Sequence, residues 1–173
     1  METHKDAGVS AIAEDRSEEM IGIEIEREGA VEVVALELQD REDLLHHLRN
    51  QLELDAEILI FERDGDEPLT LHRKGRKALR LVAHRHKQIT VKVRYEHKTE
   101  ERAFSPAKTV FKVLQWAVGK QAFNLDATSA ARANLILPGA EAPLPRDSAI
   151  GSFTQPGERV LILDLTLRDF TNG

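Results

Sequence analysis

Twice along this 173-residue chain a strictly alternating strand is followed by a partner strand, a single amphipathic helix and further strands. One helix per unit is the constraint. A lone helix has no second helix against which to bury its apolar stripe, so it must lie across the sheet that its own strands build. In the first unit Ile21, Ile23 and Ile25 face one way and Gly22, Glu24 and Glu26 the other, the pattern of a half-buried strand. Glu28-Gly29 turns the chain into a second strand over Val31 to Leu38. Asp40, with Asp43 three residues on, is read as the N-cap of a helix over Arg41 to Leu52, with Leu44, Leu45, Leu48 and Leu52 as its stripe. Strands follow at Ala56 to Phe61, Leu69 to Leu71 and Ala78 to Ala83.

The second unit repeats the order without repeating the sequence. Ile89, Val91, Val93 and Tyr95 line one face of a strand, a turn at His97 to Thr99 follows, and Glu101 to Phe104 is the partner. Ser105-Pro106 reads as a helix start, with a serine cap and proline at the first helical position. That helix is expected to reach Val118, with Val110, Phe111, Val113, Leu114, Ala117 and Val118 as its stripe and Gly119 at its C-terminal cap. A strand over Ala133 to Leu137, a turn-rich stretch, a helical turn within Ser148 to Phe153 and a last strand over Val160 to Leu165 complete it. The fold class expected is α+β, two consecutive β-grasp domains, each a mixed sheet with one helix packed across it. The boundaries expected are an acidic, disordered N-terminus over 1–19, a first domain over 20–86, a second over 87–165 and an extended tail over 166–173. Only a short, stiff joint separates the domains.

Composition narrows the chemistry. There are no cysteines, hence no thiol nucleophile, disulfide or thiolate metal site. No apolar run approaches the ~18 residues of a membrane span, and the polar N-terminus is no signal peptide, so a cytoplasmic protein without a membrane partner is expected. The net charge of −6 conceals a strongly acidic first third and a basic block that includes Arg73, Lys74, Arg76, Lys77, Arg80, Arg85, Lys87, Lys92, Arg94 and Lys98. A block of this kind suits nucleic acid or an acidic partner, but it also serves to offset the acidic stretch before it. The second use is favoured, and nucleic acid is not expected as a partner. His46-His47 point in different directions from one helix, and His84 and His86 read as a surface pair, so no metal site is expected. Trp116 is assigned to the core. No P-loop, dinucleotide fingerprint or Ser/His/Asp grouping is present, and no enzymatic activity is expected.

The last stretch runs from Val160-Leu-Ile-Leu163 into a polar tail, Thr166 to Gly173. Hairpin, helix, central strand, irregular stretch and last strand, then a free tail reaching glycine, together resemble ubiquitin. Two such units in series resemble the tandem ubiquitin-like modifiers induced by interferon, and still more their counterparts in bacterial antiphage operons. Pro145 to Ile150 sits where ubiquitin has its short turn, and Leu165-Thr-Leu-Arg168 where ubiquitin has its leucine- and arginine-rich tail. Two departures stand out: a single glycine follows Thr171 and Asn172, and Asp169 and Phe170 have no counterpart.

The resemblance implies a modifier whose C-terminal carboxylate is adenylated by an activating enzyme using ATP and Mg²⁺. It is then passed as a thioester to a conjugating enzyme and on to a target protein, in antiviral defence. A deconjugating metalloprotease would reverse the attachment. No cofactor belongs to the modifier itself. On this reading Gly173 is the conjugation site, and Leu167, Arg168, Asp169, Phe170, Thr171 and Asn172 form the recognition tail. Phe170 is either a docking anchor or folded back on its own domain. Ile136, Val160 and Ile162 are expected to face outward as a partner patch, unless that face packs against the first domain. The alternative is a non-conjugated tandem β-grasp adaptor that binds a protein or nucleic acid through the basic block.

Overall fold

A computed structural model describes residues 19–30, 32–40, 43–70 and 75–170. The stretch read as disordered (all but Glu19), the first residues of the predicted hairpin strand and of the first helix (Val31 and Arg41), and Leu71 lie outside the described residues.

The first domain is a four-stranded sheet in the order β2-β1-β4-β3, built from β1 (Met20–Arg27), β2 (Val34–Gln39), β3 (Leu59–Glu62) and β4 (Ala78–His84). β1 runs parallel to β4, and the two other pairings are antiparallel. Alternation along β1 and β4 sends Ile21, Ile23, Ile25, Leu79, Leu81 and Ala83 to one face. There they meet Leu44 and Leu48 of α1 (Leu44–Gln51) and Ile60 of β3. The helix starts later than its cap signals suggest. Asp43 holds the cap position without a side-chain hydrogen bond, and Asp40 instead accepts from the Gly75 N–H at 3.0 Å.

The second domain repeats the topology as β6-β5-β8-β7, with β5 (Ile89–Tyr95), β6 (Lys98–Phe104), β7 (Asn134–Ile136) and β8 (Val160–Thr166). β5 and β8 are parallel. Ile89, Val91, Val93, Leu135, Leu161, Leu163 and Leu165 close on Val110, Val113, Leu114 and Ala117 of α2 (Val110–Val118). Gly119 caps α2, and the half-buried Trp116 stacks edge-to-face on Phe104 with ring centres 5.5 Å apart. A short helix α3 (Ala127–Arg132), capped by Asp126, occupies a segment read as loop. A 3-10 turn covers Ile150–Phe153.

Two local expectations are corrected. α2 begins after Thr109, whose hydroxyl accepts from the Lys112 N–H at 3.4 Å, and not at Ser105. Ser105 is occupied elsewhere: its hydroxyl donates to the Gly65 carbonyl at 2.7 Å and accepts from the Ala107 N–H at 3.2 Å. Phe111, assigned to the apolar stripe, is exposed. The buried stripe runs through Val110, Val113, Leu114 and Ala117, spaced i, i+3, i+4 and i+7, and Phe111 falls off it.

The two domains share a buried contact. The face of the first sheet away from α1 presents Phe61 and Val82, which pack on Ala107 and Ala149 of the second domain. Around this cluster the Asp64 N–H donates to the Ala107 carbonyl at 2.8 Å, and Asp64 Oδ1 accepts from the Thr109 N–H at 3.0 Å. Glu26 Oε1 accepts from the Ala149 N–H at 3.0 Å, and Glu28 Oε1 from the Gly157 N–H at 2.8 Å. Gly151 lies so close that a Cβ there would sit 2.7 Å from Pro106 Cβ and 2.9 Å from His84 Cδ2. His84 is the clearest correction to the surface-pair reading, since it is fully buried in this contact.

Candidate functional site: the tail and the open face of the second sheet

Antiparallel pairing with β7 holds β8 as far as Thr166, which lies opposite Asn134. Beyond it the chain has no strand partner through Phe170. Leu167 is half-buried against the second core, and its carbonyl accepts from Arg132 Nη2 at 3.2 Å. The Arg168 N–H donates to Thr166 Oγ1 at 3.0 Å. From Arg168 on the backbone is irregular: Arg168 and Asp169 are exposed and Phe170 is half-buried. The Arg168 guanidinium lies 5.4 Å from the centre of the Phe170 ring, within cation–π range. Leu167 thus anchors the tail, while Arg168 and Asp169 form its outward part. Thr171, Asn172 and Gly173 lie outside the described residues.

The residues expected to form a partner patch lie on the face of the second sheet away from α2. Val160 and Ile162 are each 41% exposed, and Ile136 is half-buried. Ile136 lies opposite Asp164, and Ile162 precedes Asp164 by two residues on the same face of β8. Arg94 closes one flank by donating to both Asp164 oxygens, at 2.6 and 3.0 Å. That bond and the Asp164 charge hold the guanidinium still more firmly protonated than usual. Lys92, opposite Ile162, reaches Glu101 at 3.8 Å. The result is an apolar centre with a charge-balanced border.

The equivalent face of the first sheet is different. Phe61, opposite Val82, occupies the position of Ile136, opposite Asp164, and it is buried under the second domain. The positions of Val160 and Ile162 are taken by Ala78 and Arg80.

Several other candidates lose weight. Arg76 pairs with Glu62, Arg80 with Glu24, Lys87 with Glu67, Lys92 with Glu101 and Arg94 with Asp164, so half of the basic block is locally neutralised. Arg73 and Lys74 lie outside the described residues. The His46 and His47 ring centres are 6.1 Å apart, and His46 Nε2 hydrogen-bonds Asn50. Among the described residues no group of three potential metal ligands converges, and no helix is long and apolar enough to cross a membrane. Sequence reasoning missed Arg132, a residue of the unread helix α3. It also missed Glu26, Asp64 and His84, each of which hydrogen-bonds a residue of the second domain.

Residues 90–168 match the family described as BilA ubiquitin-like domain 2, a span that begins at β5 and ends within the tail. No curated protein matches the chain. The second domain is ubiquitin-like, and the chain as a whole is two consecutive β-grasp domains, each a four-stranded mixed sheet with a helix.

Proposed function

We propose that the protein is a ubiquitin-like modifier conjugated through Gly173 and acting in bacterial antiviral defence. The observation that carries the proposal is the tail: a matched ubiquitin-like domain whose last strand gives way to a segment outside the sheet, exposed at Arg168 and Asp169. The chemistry requires such a segment. A carboxylate is a poor acylating agent, so its oxygen attacks the α-phosphate of ATP, expelling pyrophosphate and leaving an acyl adenylate. A cysteine thiolate of the activating enzyme then displaces AMP. The thioester passes to the conjugating enzyme, and a target amine finally displaces the thiolate. Each step brings the same carbonyl into a crowded site on another protein. Glycine, with no Cβ, admits that approach, and an extended tail threads a groove as an added strand. The protein supplies the acyl group and a recognition surface. Mg²⁺, ATP and the cysteines belong to its partners, and a metalloprotease hydrolyses the product bond.

Ile136, Val160 and Ile162 are the surface that partners would read. Ion pairing within the basic block gives the adaptor reading little support.

The test is incubation with ATP, Mg²⁺ and an activating enzyme of the kind the proposal calls for. A thiol-sensitive adduct is expected, and deleting Gly173 should abolish it. No adduct with wild type, under conditions that charge the enzyme, would overturn the modifier reading. An adduct that survives the deletion would overturn the choice of Gly173.

A further inference from the structure

The two sheets present four edges, and three are protected. Along β3 the Leu69 N–H donates to the Ile60 carbonyl at 2.7 Å, and Pro68 bridges to Phe61. β7 is three residues long, and the Leu144 N–H donates to the Leu135 carbonyl at 2.8 Å. β6 is long but carries Lys98, Glu100, Glu101 and Arg102 among its seven residues, a charged edge that discourages strand addition.

Among the described residues β2 has no such protection. Its sequence, Val34-Ala-Leu-Glu-Leu-Gln39, holds one charge. The Asp40 N–H donates to the Glu19 carbonyl at 2.9 Å in the same register as the β1–β2 ladder. In an antiparallel ladder bonded pairs alternate, so Leu38, Leu36 and Val34 turn their backbone groups toward β1. Ala35 and Glu37 turn theirs outward, where those four groups have no partner among the described residues. Side chains echo this. Val34, Leu36 and Leu38 belong to the first core yet stay half-buried. Val33, just before β2, is 48% exposed.

We infer that β2 is a self-association edge, pairing antiparallel with β2 of a second copy about a two-fold axis at Leu36. Three features select a second copy. Register is the first: centring on Leu36 sets Ala35 against Glu37 of the other copy, and the reverse, so all four outward backbone groups bond. Packing is the second: Leu36 meets its own equivalent and Val34 meets Leu38, joining two half-covered apolar sets on the α1 side. Charge is the third: Glu37 faces an alanine, whereas centring on Glu37 would oppose two carboxylates. The product is one eight-stranded sheet. It uses neither the tail nor the open face of the second sheet, so it stands apart from the proposed function.

The test uses the full chain. Sedimentation velocity over roughly 1 to 200 μM should show a concentration-dependent dimer. Ala35→Pro removes an outward N–H that the sheet does not use, a substitution edge strands tolerate. It should be monomeric throughout that range with an unchanged circular dichroism spectrum. The chain has no cysteine, which gives a second measurement. In the bonded pair Cα atoms lie ~5.5 Å apart, within disulfide reach. Ala35→Cys with Glu37→Cys should therefore yield a covalent dimer under mild oxidation, reversed by reductant, while Glu37→Cys alone should not. A wild-type monomer at every concentration overturns the inference, as does a dimer unaffected by Ala35→Pro. Cross-linking by Glu37→Cys alone overturns the register.

Discussion

His84 has both ring nitrogens committed inside the domain contact. Nδ1 accepts from the His86 N–H at 3.0 Å, so Nε2 carries the proton and donates to Thr154 Oγ1 at 2.8 Å. Thr154 in turn donates to the Gly151 carbonyl at 2.9 Å. The chain of bonds is complete for a neutral imidazole, and a second proton on Nδ1 would evict the His86 N–H. Burial lowers the His84 pKa, and the charges of His86 and Arg85 add to that. Glu28, with an oxygen 3.9 Å from Nε2, pulls the other way without reversing it. As the pH falls below about 6.5 the unfolded chain binds a proton here before the folded one does. Stability is therefore full above that pH and declines as the pH drops toward the lowered folded value. Chemical denaturation between pH 7.5 and 5, wild type against His84→Gln, checks this (pH values chosen to bracket the about 6.5 of free histidine). The variant should lose roughly 1–3 kcal/mol at neutral pH and show a shallower acid decline. An equal decline in both would place the titrating group elsewhere.

At the scale of elements, what was legible followed from periodicity. Ile21, Ile23 and Ile25, and again Ile89, Val91 and Val93, announced their strands because a side-chain period of two survives any context. Boundaries were less legible where a residue with a strong local preference had a stronger distant partner. Ser105 looks like a cap and serves as a bridge to Gly65. Asp40 looks like a cap and holds Gly75. The outward turn of Ile136, Val160 and Ile162 was predictable from the same alternation once the helix-facing side was assigned. Their freedom from the first domain was not, because no local signal says which face of a sheet a neighbour will cover. Val160→Thr with Ile162→Thr keeps β-compatible side chains and removes the apolar centre. On the proposed function, thioester transfer to a conjugating enzyme should fall by about tenfold or more, equivalent to ~1.4 kcal/mol, with little change in melting temperature. Unchanged transfer would remove these two residues from the recognition surface.

For the molecule as a whole, the contact around Phe61 makes the two domains mechanically dependent. Phe61→Ala opens a cavity at the joint, at a cost of about 3–5 kcal/mol. Its signature is local. The amides of Asp64, Thr109, Ala149 and Gly157 all donate across the joint, and they should exchange hydrogen faster, while β5 and β8 amides keep their protection. Uniform loss across both domains, or no loss at the four amides, would contradict a separable joint.

The burial of Phe61 has a further consequence, for valency. Two ubiquitin-like units in one chain suggest two equivalent handles and the avidity that comes with them. Here the first handle is closed by its own neighbour, and its remaining positions are Ala78 and Arg80. A receptor that reads Ile136, Val160 and Ile162 would find one such site per chain. The second unit would then be monovalent in binding, and the first would act as a fixed spacer that gives the chain bulk and direction without a second grip.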